Sequence, residues 1–161
     1  VNEVDAAILA RVGDPVAGKD DTYFRDSVGV TVYDGWFKAP PPSGGVVPEY
    51  PLPYANFMSS FGDDDAPRLD GGYGQREEFF RFYIVGLTRQ QTKWAIARIR
   101  ARMARFRPVV PGMRLTPVRL SEAPLITRDD DALRPDGQGF LFYAVDSYTV
   151  RMSVSRTDPL A

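Results

Sequence analysis

The side chains in this chain best equipped for chemistry are carboxylates and guanidiniums. Asp63, Asp64 and Asp65 form one triplet and Asp129, Asp130 and Asp131 another, and oxygen ligands of this kind suit calcium or magnesium. Neither triplet follows the spacing of an EF-hand loop, and adjacent carboxylates on a strand or turn point in different directions. Two other uses stay open: solvated loop charge, or acceptors for arginines in the same molecule or across a subunit boundary. The cations are concentrated elsewhere. Between Phe79 and Ser121 stand ten Arg or Lys residues and no Asp or Glu. Three readings fit that run. It is a solvated face, where each exposed ion pair contributes only ~0–1 kcal/mol, a nucleic-acid footprint, or a protein interface, for which the planar and weakly hydrated guanidinium is suited. Against nucleic acid stand a formal net charge of −1 over the whole chain and aromatic residues that are not interleaved with the arginines.

Other chemistry is missing from the sequence. There is no cysteine and no histidine, which excludes disulfides, thiolate nucleophiles, the commonest zinc ligands and the commonest general base near neutral pH. No phosphate loop, nucleophile elbow or zinc-protease motif is present. Gly71-Gly72-Tyr73-Gly74 precedes a strand instead of following one, the reverse of a dinucleotide fingerprint, and reads as a turn. No cofactor, no bound metal and no catalysis are expected. No stretch approaches the roughly 18 apolar residues of a membrane span, and the start lacks a signal-peptide pattern, so a soluble protein made in the cytoplasm is expected.

The arginines need an element to position them. Phe79 to Leu87 is aromatic and β-branched with little charge, which suits an interior strand. Thr88 follows as an N-cap, with Gln91 placed for a capping box. A helix is predicted from there to about Arg107, where Pro108 stops it. At about 100° per residue, Ala95, Ile96, Ile99, Met103 and Phe106 share one arc, which should face the sheet. Ala97, Ala101 and Ala104 lie opposite. Basic flanks separate the two arcs: Arg89, Lys93 and Arg100 on one side, Arg98, Arg102 and Arg105 on the other.

Before this unit, Val4, Ile8 and Val12 make the stripe of a short helix ending near Gly13. Residues 14–27 read as polar turns, Val28 to Tyr33 as a strand with Val28, Val30 and Val32 on one face, Asp34-Gly35 as a turn, and Trp36-Phe37 as the start of a second strand. The segment 38–75 is rich in proline, glycine and aromatics. So long a connection without regular structure is unusual in a compact domain, yet Tyr50, Leu52, Tyr54, Phe57, Met58 and Phe61 are too apolar for a flexible linker. It is either a flap over this domain's own core or an arm that orders against another protein.

After the helix, Arg114 to Leu120 reads as a short strand with Pro117 at an edge or bulge, and Pro124 to Thr127 as its extension or a new strand. Asp129 to Gly139 reads as a solvated loop. Phe140 to Arg156 forms one bulged strand or two hinged at Asp146-Ser147. The order predicts a single α+β domain over 1–161, with no second core: one mixed β-sheet with a long central helix and a short N-terminal helix packed on it, the irregular 38–75 segment, and a frayed tail at 157–161.

The runs GLTRQQTKWAIARIRARMARFRPVVPGMRL, TRDDD and FLFYAVDSYTVRMSVSR, together with the opening helix, resemble the tail terminator proteins of long-tailed, siphovirus-type bacteriophages of actinobacteria. The likeness covers the opening helix and roughly residues 76 to 156, and leaves 38–75 uncovered. It implies a virion protein of the head–tail junction: a hexameric ring of α+β subunits that caps the tail tube, stops its polymerisation and receives head-completion proteins, with DNA passing through the lumen without sequence readout. A head-completion or connector ring protein is the nearest alternative, and a DNA-binding module the next. The expected partners are further copies of the chain, the tail tube protein and a connector protein. Trp94, Arg98, Arg102 and Arg105 are then candidates for a subunit or tube contact, with Asp63, Asp64, Asp65 or Asp129, Asp130, Asp131 opposite. Tyr50, Tyr54, Phe57 and Phe61 are candidate arm contacts.

Overall fold

The computed structural model describes residues 3–15, 23–25, 30–35, 52–60, 75–122, 124–134 and 137–154. The expectations for Val28, for a strand at Trp36-Phe37, for a turn at 71–74, for Asp63 to Asp65, for Tyr50 and Phe61, and for the tail at 157–161 lie outside these residues.

The described chain runs α1 (Glu3–Val12), β1 (Asp14–Pro15), β2 (Tyr23–Arg25), β3 (Thr31–Asp34), β4 (Tyr54–Ser60), β5 (Gln75–Gly86), α2 (Arg89–Met103), β6 (Met113–Leu115), β7 (Arg119–Glu122), β8 (Thr127–Leu133) and β9 (Phe140–Val154). All nine strands join one mixed sheet in the order β1-β2-β3-β4-β5-β9-β6, with β7 and β8 also paired to β9. Only β3 and β4 run parallel; the other pairs are antiparallel. The fold is α+β.

The β5–β9 ladder is the backbone of the sheet, unbroken from Gln75↔Ser153 to Gly86↔Phe142. Strand β9 is therefore one element, not two hinged at Asp146. Even-numbered residues of β5 (Phe80, Phe82, Ile84) meet Val150, Tyr148 and Ala144 of β9, Ala55 and Phe57 of β4, and Val4, Ile8, Leu9 and Val12 of α1 in the main core. Ala95, Ile96, Ile99 and Met103 cover the same face, as the periodicity of α2 predicts, and Thr92 joins them at 0% exposure. Ala97, Ala101 and Ala104 are exposed.

Tyr54 and Phe57 correct the reading of 38–75. They belong to β4, between β3 and β5, and Phe57 is 1% exposed with its ring 5.4 Å from that of Phe82. A central strand buried on both faces cannot be a loose arm, because releasing it would leave the facing edges of β3 and β5 without ladder partners. The opposite face of the sheet also carries apolar packing: Tyr33, Tyr54, Val85 and Leu141 form a second buried cluster, with Tyr83 stacked on Tyr143 at 5.0 Å. The rings of these tyrosines bury apolar surface on the face of the sheet away from the main core.

Three smaller differences have local causes. Two short strands, β1 and β2, lie inside the stretch read as turns. Helix α2 ends at Met103, not near Arg107. Ala104 (φ −57, ψ 119) and Arg105 (φ 58) form the centre of a type II turn, closed by Phe106 N–H donating to the Met103 carbonyl at 3.1 Å. Asp129, Asp130 and Asp131 lie in edge strand β8 instead of a loop, across an irregularity in register between Asp129 and Leu133. Their side chains can sit in a strand because this edge is solvated, and charge on an exposed edge discourages pairing with another sheet.

Candidate functional site

Helix α2 presents its two basic flanks to opposite ends of the sheet. Its start is held as its first residues require. Gln91 N–H donates to Thr88 Oγ1 (3.1 Å), and the Gln91 side chain accepts from Leu87 N–H (2.6 Å), one residue upstream of the usual capping-box donor. The Thr92 hydroxyl donates to the Thr88 carbonyl at 3.0 Å and lies 3.4 Å from the Phe142 carbonyl of β9. Gly86 permits this approach, since a Cβ there would stand 2.5 Å from Thr92 Oγ1 and 2.9 Å from Thr92 N.

The flank of Arg89, Lys93 and Arg100 looks toward β9. Arg100 Nε and Nη2 donate to Asp146 Oδ2 and Oδ1 at 3.0 and 2.9 Å, and the Tyr148 hydroxyl donates to Oδ2 at 3.0 Å. Asp146 has no side-chain exposure and Arg100 37%. The hydrogen bond to Asp146 holds the guanidinium above its ordinary value, and burial, followed by the charge of Asp146, pushes the Tyr148 phenol well up. This bidentate pair was not anticipated from the sequence. Its sequence signals are that Arg100 borders the apolar arc of the helix and that Asp146 is the one charged residue between Phe140 and Val150.

Outside Arg100, the same flank walls a groove of about 850 Å³. Arg89, Gln90 and Lys93 line one side, Pro124, Leu125 and Ile126 the other, with Ile96 and Arg100 between them. Residues 124–126 lie outside the ladder: the last β7 pair with β9 is Glu122↔Ser147 and the first β8 pair is Thr127↔Tyr143.

The opposite flank looks toward α1. Arg11 Nε donates to the Arg102 carbonyl at 3.0 Å, and its guanidinium lies 5.3 Å from the centre of the Phe106 ring. A cation at these last carbonyls suits the helix C-terminus. Arg98 and Arg102 are half-buried and Arg105 exposed. The Arg98 guanidinium is 6.0 Å from the Trp94 ring, which is 43% exposed.

The acidic residues of β8 are not brought to these arginines. Asp129 pairs across from Leu141, a residue of the tyrosine face, and its charge helps burial push Tyr83 up to about 12, burial being the larger cause. Asp130 accepts from Arg128 Nε at 2.6 Å, and Asp131 N–H donates to Asp129 Oδ1 at 3.1 Å. No three acidic residues among those described are grouped to hold a metal ion, and no helix among them is long and apolar enough to cross a membrane. Neither a scan against protein-family models nor a search of curated proteins gave a match to this chain.

Proposed function

We propose that the chain is a structural assembly subunit of a phage virion: a tail terminator that forms a hexameric ring on the tail tube at the head–tail junction, halts tube polymerisation and offers a face to a connector protein. The observation that carries this reading is the outer face of α2, where Trp94, Ala97, Ala101 and Ala104 are all exposed beside Arg98, Arg102 and Arg105. Small side chains next to an exposed indole allow a second surface to approach the helix closely, and arginine at the margin suits a protein contact.

The placement of charge supports a head-to-tail contact. The Arg98–Arg102–Arg105 flank adjoins α1, whereas Asp129 to Asp131 sit on β8 at the other end of the sheet order. A heterologous interface needs two complementary patches on different sides of one subunit, and repetition of that contact closes a ring. The likeness to tail terminators supplies the ring and the tube; the separated patches supply a way to join its subunits.

The test is native mass with and without the tube protein, for wild type and for Arg102→Glu. Wild type should form rings that associate with tube ends, and the variant should assemble weakly, with a deficit that depends on salt. Rings formed by the variant as readily as by wild type at low salt would remove Arg102 from the contact. A wild type that stays monomeric in the presence of tubes would remove the ring. Binding to DNA with a steep inverse salt dependence and no ring would favour the nucleic-acid reading instead.

A further inference from the structure

We infer that the groove between the first half of α2 and residues 124–126 is a docking site for an acidic, leucine-bearing peptide segment of a partner protein. The chemistry of its two walls sets the occupant. Arg89 and Lys93 are exposed on the helix wall, and among the described residues the lining contains no carboxylate. Arg100 adds little net charge, because Asp146 balances it. The facing wall is apolar, and Leu125 projects into solvent at 87% exposure. Two cations opposite an uncovered leucine match a chain that carries carboxylates and aliphatic side chains together.

Other occupants fit less well. A nucleic-acid strand gains from aromatic platforms and a track of several cations, and among the described residues this lining has no aromatic side chain and two uncompensated charges. A small anionic ligand is normally oriented by convergent polar groups. Here the buried carboxylate behind Arg100, Asp146, already accepts from both Arg100 and Tyr148. A peptide needs neither device, since Pro124 to Ile126, lying outside the ladder, offer it an irregular edge as well as side chains. The site does not depend on the ring proposed above, because it uses the opposite flank of α2.

The probe is a fluorescein-labelled decapeptide of alternating Asp and Leu, measured by anisotropy at low salt against the full chain. Wild type should bind it, and a decapeptide of alternating Lys and Leu should not bind. Affinity should fall roughly tenfold or more in the double variant Arg89→Glu, Lys93→Glu, and severalfold in Leu125→Ser. Glutamates in the first turns of a helix are favourable with its dipole, so the double variant should fold, and its thermal melt checks this. Equal binding by folded wild type and double variant overturns the site. So does an oligothymidylate of ten nucleotides that binds as tightly as the acidic peptide and is lost in the same variant. Self-association of wild type that is lost in the double variant, with no binding of the peptide, assigns the groove to a second copy and overturns the partner peptide. Ring formation by the double variant, and peptide binding by Arg102→Glu, separate this site from the ring contact.

Discussion

Arg100 and Asp146 differ in what each leaves behind when it is removed. Arg100→Met strands a carboxylate with no solvent exposure and only the Tyr148 hydroxyl to answer it, whereas Asp146→Asn leaves a guanidinium that still reaches water. Breaking a buried pair costs about 3–5 kcal/mol. Arg100→Met should fall near the lower end, because the arginine is part-exposed, and Asp146→Asn should cost about 1–2 kcal/mol. Urea unfolding of both variants checks the order, and equal losses would mean that Asp146 is not the buried member. Asp5 provides a pH-dependent case. It is buried on α1 and accepts from the Ser59 hydroxyl at 2.7 Å; burial raises its pKa, the hydrogen bond opposes the shift, and Asp34 adds to it. A carboxyl with a raised folded pKa contributes stability below its unfolded value, and that contribution is lost as pH rises through the folded value. Relative to Asp5→Asn, wild type should therefore lose stability as pH climbs out of the ordinary carboxylate range. A difference in denaturation midpoint that stays constant with pH would contradict this.

At the scale of elements, α2 is fixed by its two ends. Gly86→Ala would drive a methyl against the backbone nitrogen of Thr92, which a flexible side chain cannot relieve. The helix must shift, at the roughly 1–3 kcal/mol of an overpacked core, and thermal unfolding should register the loss. At the other end, Arg105 occupies a left-handed position (φ 58) where glycine carries no Cβ penalty. Arg105→Gly should stabilise the monomer by about 1 kcal/mol. If Arg105 also serves the proposed ring, the same substitution should weaken assembly, so strain and function would be seen to trade at one residue. A variant no more stable than wild type would show that the turn tolerates arginine without strain.

Across the whole molecule, the elements legible in the sequence were those with one wet face and one dry face. The stripes of α1 and α2 stand out for that reason, and β5 stands out as an aromatic and β-branched run between two polar boundaries. Strand β4 was hidden because Tyr54, Asn56 and Met58 look onto the tyrosine face while Ala55 and Phe57 look into the main core, which removes the alternation. Proline and glycine on both sides then suggested a loop. The edge strand β8 was hidden for the opposite reason, since most of its side chains meet water and no period marks a face; the single strand expected from Arg114 to Leu120 is instead two short ones, β6 (Met113–Leu115) and β7 (Arg119–Glu122). The basic flanks of α2 were visible, but not which arginine was already engaged. The partner of Arg100 lies 46 residues away; Asp146 stands out as the one charged residue between Phe140 and Val150, but nothing in the local pattern pairs it with Arg100.

Strand β9 carries a consequence of its own. On one side it meets the single long strand β5, and on the other it meets three short pieces, β6, β7 and β8, with Ala144 to Asp146 left between two of them. Because successive amides of a strand point to opposite neighbours, alternate residues of β9 belong to different cooperative units. Those bonded toward β5 open only when the sheet opens. Those bonded outward open when one short piece lifts off. Amide hydrogen exchange along β9 should accordingly run at two rates that alternate residue by residue, and a uniform rate along the strand would show that the three short pieces open only with the sheet.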